Sequence, residues 1–165
     1  LIYGNGLFRG SNMAWVSAFR ISDQITAIGG VAGAYYFRCE ESADQRPVPA
    51  IFFHGKADRI APYEGVANER YDVPFPSIPA FVESYAQRNG CSLTPTTFKE
   101  TANIIAIEYS DCHQGANVVF YTIVDGGHNW PGGTPLPEWI TGKTSQEINA
   151  TALMWEFFQN YSLPK

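Results

Sequence analysis

Five consecutive residues, Pro49-Ala50-Ile51-Phe52-Phe53, are apolar without interruption, and this run restricts the fold more than any other feature of the chain. A strand with one wet face alternates apolar and polar residues. A strand apolar at every position is covered on both faces, as in a parallel sheet with helices on either side. Ile25-Thr26-Ala27-Ile28, continuing to Val31-Ala32-Gly33, reads as a second buried strand with a glycine-rich exit, and Leu1-Ile2-Tyr3 as the end of another. Gly4-Asn5-Gly6 then signals a turn, and Met13 to Phe19 is apolar and small enough for a helix ending before Ser22-Asp23.

A further helix starts at Ile78, with Phe81, Val82 and Tyr85 at helical spacing and Asn89-Gly90 as its stop. Asn103 to Tyr109 and Val118 to Val124 are β-rich and form a pair of neighbouring strands. Thr144 precedes Glu147 by three positions, a capping-box pattern. Ile148, Ala152, Trp155 and Phe158 then make the apolar stripe of a last helix ending near Tyr161. Strands alternating with helices predict an α/β fold over residues 1–165, one domain with a mostly parallel sheet flanked by helices.

Composition narrows the function classes. With 45% hydrophobic and 16% charged residues the chain has the balance of a folded protein, and one of this length buries roughly 70% of the surface its unfolded form exposes. The net charge of −5 and the lack of a Lys/Arg run argue against nucleic acid or an anionic membrane as partner. No apolar stretch reaches the roughly 20 residues that cross a bilayer. Cys39, Cys91 and Cys112 permit one disulfide and a thiol, a bond to a partner outside the chain, or three reduced side chains. The histidines and cysteines have no metal-ligand spacing, and no phosphate-cradling or dinucleotide motif follows a strand, so no cofactor or metal is expected.

Two loops place a titratable residue just past a buried strand. The first is His54-Gly55-Lys56-Ala57-Asp58-Arg59-Ile60-Ala61-Pro62-Tyr63; the second is Gly126-Gly127-His128-Asn129-Trp130-Pro131-Gly132-Gly133. Open α/β sheets build their sites at the carboxyl ends of strands, and an Asp and a His presented there suit a general base with its orienting carboxylate. Taken singly, each also reads as structural, Asp58 capping a turn and His128 bonding backbone. Upstream, Gly6-Leu7-Phe8-Arg9-Gly10 lies between strand and helix with the outline of a Gly-x-Ser-x-Gly nucleophile elbow, but with Phe8 at its centre. His54 and His113 read as structural and as a solvated turn residue.

The chain resembles the secreted α/β-hydrolase esterase family of feruloyl esterases and poly(3-hydroxybutyrate) depolymerase-like proteins. The likeness runs through the elbow, Met13-Ala14-Trp15, Ala27-Ile28-Gly29-Gly30-Val31-Ala32-Gly33, and the acid loop with Pro62-Tyr63-Glu64-Gly65. It continues through Arg88-Asn89-Gly90-Cys91 and the histidine loop. It implies the C-terminal part of an α/β-hydrolase fold with its N-terminal strands missing, and a carboxylic-ester hydrolase using a nucleophile-His-Asp triad. Asp58 would be the acid, His128 the base, Phe8 the nucleophile position, and the Arg9 backbone amide an oxyanion donor. The resemblance also implies a Cys91–Cys112 disulfide and secretion or a periplasmic location, with a small-molecule or polymer ester as substrate.

Phe8 has no atom that attacks a carbonyl. Ser11, three residues on, falls in the first helical turn and reads as a local backbone partner; Asp125 is an alternative partner of His128, ranked below Asp58 because an acid three positions away in the same tight loop seldom turns its carboxylate onto the far ring nitrogen. A second reading is therefore a noncatalytic carbohydrate- or polyester-binding pseudoenzyme, with Trp130, Tyr63 and Trp139 stacking on a ring. The absence of strands before Leu1 would leave an exposed edge through which copies associate.

Overall fold

The computed structural model describes residues 1–35, 45–65 and 76–163. In chain order its elements are β1 (Tyr3–Leu7), α1 (Arg9–Arg20), β2 (Ala27–Val31), β3 (Ala50–Gly55), α2 (Ile78–Arg88) and β4 (Thr96–Glu100). There follow β5 (Ile104–Tyr109), a 3-10 turn (His113–Gly115), β6 (Val118–Ile123), α3 (Glu138–Thr141) and α4 (Ala150–Phe158). The six strands form one sheet in the order β1-β2-β3-β6-β5-β4. β1, β2, β3 and β6 are parallel, and β5 and β4 continue the sheet antiparallel. This is a mixed α/β fold with a mostly parallel sheet.

The apolar run of β3 explains how the core divides. Ala50 and Phe52 join the core under α1 and α2, with Trp15, Phe19, Tyr35, Phe81 and Tyr85. Ile51 and Phe53 face the other way, into a core with Val119, Tyr121, Met154, Phe157 and Phe158. Successive strand side chains point to opposite faces, so a strand covered twice must be apolar throughout. Each buried Phe contributes about 1.5–3 kcal/mol, and the rings add edge-to-face contacts such as Trp15–Phe81 and Phe52–Tyr85, 5.5 Å between centroids in both.

At the N-terminus Gly4-Asn5-Gly6 is not a turn but the middle of β1, held in register against Ile28, Gly29 and Gly30. Helix α1 begins at Arg9, four residues before the apolar run that marks it in the sequence. Gly6 here serves close packing, which a glycine count reads as a turn. A Cβ on Gly6 would lie 2.5 Å from the carbonyl carbon of Gly10, so the helix can start directly on the strand end only because residue 6 has no side chain.

The last helix also differs from its sequence pattern. It starts at Ala150, capped by Asn149, whose Oδ1 accepts from the Ala152 amide at 2.9 Å, and not at Thr144. Ile148 lies before the helix. The buried helical face is Ala150, Met154, Phe157 and Phe158, whereas Ala152 and Trp155 are exposed. The capping-box pattern misleads because Glu147 instead accepts from the Asn103 side chain.

Strand β4, exposed throughout, has no apolar face and gives no sequence signal. Cys91 and Cys112 form a disulfide, closing a loop worth about 3 kcal/mol in the chain-entropy treatment. Cys39 lies outside the described residues. Among the described residues, no helix is long and apolar enough to cross a membrane.

Candidate functional site

The carboxyl ends of β1, β3 and β6 bring three loops together. At the end of β1, Phe8 takes φ 52° and ψ −108°, a left-handed conformation that costs a bulky residue about 1–3 kcal/mol. Its neighbours impose it: the Phe8 amide donates to the Val31 carbonyl at 2.9 Å, and its carbonyl accepts from the Asn12 amide at 3.1 Å. The ring packs against Ala34 and Ala61 and meets the His128 imidazole edge to face, 4.8 Å between centroids. Arg9 opens α1, so its amide is among the first-turn donors with no partner inside the helix, at the positive end of the helix dipole.

Asp58, 5% exposed, sits in the turn after β3. Its Oδ1 accepts from the Ile60 and Ala61 amides, both at 2.8 Å. Its Oδ2 lies 2.8 Å from Nδ1 of His128 and 3.4 Å from Nε2 of His54. The carboxylate thus caps its own turn through one oxygen and meets the histidine through the other. With Nδ1 committed to the carboxylate, Nε2 of His128 is the nitrogen left to exchange a proton.

The loop bearing His128 is clamped from outside. The His128 amide donates to the Thr141 carbonyl at 2.6 Å, and the Gly127 amide to Lys143 at 2.9 Å. The Asn129 side chain reaches the carbonyls of Thr141 and Gly142 at 3.1 and 2.8 Å. The segment around α3 therefore positions the histidine, although nothing in its own sequence says so.

His54, read from the sequence as structural, stands behind the turn that carries Asp58. It is 2% exposed, its Nε2 donates to the Ala61 carbonyl at 2.8 Å, and it stands beside Asp58. Burial pushes its pKa below the ordinary 6.5, against the opposing pull of the Ala61 carbonyl and of Asp58. A neutral ring here supports the acid loop without competing with His128 for the negative charge. Its spacing of four from Asp58 is the signal that could have paired them. His113 is exposed in the 3-10 turn.

Other candidates are engaged elsewhere. Ser11 is 1% exposed and its hydroxyl is 2.8 Å from that of Tyr35. Asp125 pairs with Lys143. The Tyr63 hydroxyl is 2.9 Å from that of Thr122, and its ring stacks on Phe120. The Trp130 indole donates to Thr151 of α4 at 3.0 Å. Trp139 is 84% exposed on α3. Among the described residues, no group of three or more His, Cys, Asp and Glu is placed to hold a metal ion.

No family model matches the chain. It is 24% identical over 172 aligned positions to a Nocardia uniformis subsp. tsuyamanensis protein named Putative esterase NocK, an alignment taking in 94% of this chain and 50% of the relative. The chain thus spans about half the length of the curated relative it matches, and the likeness, over nearly all of its own length, is to an esterase.

Proposed function

We propose that the chain is a carboxylic-ester hydrolase scaffold in which Asp58 and His128 are the acid and base of a nucleophile-His-Asp triad and Phe8 occupies the nucleophile's position. One observation carries this reading: the 2.8 Å bond between Asp58 and Nδ1 of His128, with the His128 ring against a residue held at φ 52° between a strand and a helix. The order elbow, acid, histidine along the chain supports it.

In such a triad a hydroxyl at position 8 gives its proton to Nε2 of His128 and attacks the ester carbonyl. The Arg9 amide takes one hydrogen bond of the oxyanion, and His128 returns the proton to the leaving alcohol; water then releases the acid by the same route. Asp58 holds the imidazole in the Nδ1–H tautomer and stabilises it when charged. Phe8 offers no lone pair, so the chain as it stands lacks the attacking atom. We assign feruloyl, acetyl or polyester bonds as the substrate class of the scaffold, and a secreted or periplasmic setting, which suits the Cys91–Cys112 disulfide.

The test is the Phe8→Ser variant of this chain, treated with a fluorophosphonate and assayed on p-nitrophenyl esters. Label on residue 8 that is lost with His128→Ala supports the triad; a folded, unlabelled and inert Phe8→Ser protein ends it. The ring of Phe8 filling the space beside His128 favours a second reading, a noncatalytic module that holds a polymer through exposed aromatics such as Trp139. Retention of the unaltered chain on insoluble xylan or polyester, lost with Trp139→Ala, separates that reading from the first.

A further inference from the structure

The face of the sheet under α2 holds a cavity of about 190 Å³, lined by Lys56 and Tyr63 from the loop that carries Asp58 and by Pro79, Ile105, Ile107, Tyr109, Phe120 and Thr122. Its floor is the β5–β6 pair, in which Ile105 faces Thr122 and Tyr109 faces Val118. Four residues of strand separate Ile105 from Tyr109, roughly 13 Å. Lys56 follows Gly55, which pairs with Ile123, so it stands at the Ile105 end and Tyr109 at the other.

Both ends carry uncommitted polar groups. Among the described residues the Lys56 ammonium has no carboxylate within ion-pair distance; it lies 5.8 Å from the centroid of the Tyr63 ring. Tyr109 is 6% exposed, and its hydroxyl has no hydrogen-bond partner among the described residues. Burial, followed by the nearby Glu83 carboxylate, raises its pKa, so at neutral pH the phenol is a proton donor. A trough with apolar walls and a few placed polar groups is how small-molecule sites are built.

We propose that this cavity binds an elongated monocarboxylic acid: the carboxylate meets Lys56, the apolar body lies on Ile105, Ile107 and Phe120, and an acceptor oxygen at the far end takes the Tyr109 hydroxyl. The cavity borders the loop that carries Asp58 through Lys56 and Tyr63, but its proposed contacts use none of Phe8, Asp58 and His128.

The experiment is calorimetric titration of the whole chain with 3-(4-methoxyphenyl)propanoate, 3-phenylpropanoate and 3-phenylpropan-1-ol. The methoxy acid should bind with a Kd of about 1 mM or tighter, ahead of 3-phenylpropanoate, with the alcohol weakest. Lys56→Met should weaken both acids about fivefold and erase their advantage over the alcohol, and Tyr109→Phe should erase only the methoxy preference. Ile107→Trp should block all three, and His128→Ala should change nothing. No binding at about 10 mM, equal binding of acid and alcohol by the unaltered chain, or acid affinity unaffected by Lys56→Met would overturn the proposal. Loss of binding with His128→Ala, in a protein whose circular dichroism is unchanged, would move the ligand to the other site and overturn it as well. Should Ile107→Trp fail to fold, the exposed Lys56→Met and the near-isosteric Tyr109→Phe still decide.

Discussion

The turn after β1 and the turn after β3 each deliver one residue to the same site, but they are built in opposite ways. At Asp58 the side chain is the construction. One oxygen closes the turn through two amides and the other holds His128, so loop shape and site chemistry stand or fall together. At Phe8 the backbone is the construction. The Val31 carbonyl, the Asn12 amide and the missing side chain of Gly6 set the conformation, and the ring takes no part in holding it. A turn of the second kind survives replacement of its central side chain. A turn of the first kind does not.

The largest expected effect breaks the comparison on the β1 side. If the backbone alone shapes that turn, Phe8→Ser should keep the fold and raise hydrolysis of p-nitrophenyl acetate at least about 1,000-fold over the parent, which has only binding and oxyanion stabilisation to offer. In that background Asp58→Asn should lower kcat about 100- to 10,000-fold. Asp125→Asn, which removes only the exposed pair with Lys143, should change kcat less than about twofold. Equal losses from the two carboxylates would show that the turn after β3 has been misread.

The smallest effect lies behind Asp58. His54 has a native pKa below its ordinary value, so between the two values the unfolded chain binds more protons than the folded one. Stability from this group is then complete above pH 6.5 and is lost as the pH falls from there toward the lowered native value. Urea midpoints should fall between pH 7.5 and pH 5.5 for the parent, and His54→Gln should flatten that dependence. A slope unchanged in the variant would assign the pH sensitivity to other groups.

Much of this molecule was legible in its residues. The unbroken apolar run at 49–53 dictated a strand covered twice, because both faces of β3 must be dry. The Asp58 and His128 loops showed themselves because glycines and prolines directly after an apolar run end a strand where sites form. The residues at 4–6 were misread, since a glycine that frees the chain to turn and a glycine that lets a helix press on a strand look the same in one dimension. The stripe of the last helix differs from its sequence pattern because Thr144 and Glu147 match a capping box, whereas the helix starts at the Asn149 cap and buries Met154, Phe157 and Phe158 with Ile51 and Phe53.

What the sequence determined by itself was the α/β class and which residue types stand in the loops after the strands, including the phenylalanine between β1 and α1, because these follow from local apolarity and from chemistry each side chain carries alone. What only the tertiary structure decided was partnership. It set Asp58 against His128, turned Ser11 onto Tyr35, brought His54 in behind the acid, and left Lys56 and Tyr109 at the two ends of a trough. Hydrogen bonds between residues as far apart as 58 and 128 depend on strand register, and register is settled only when the whole sheet closes on its two cores.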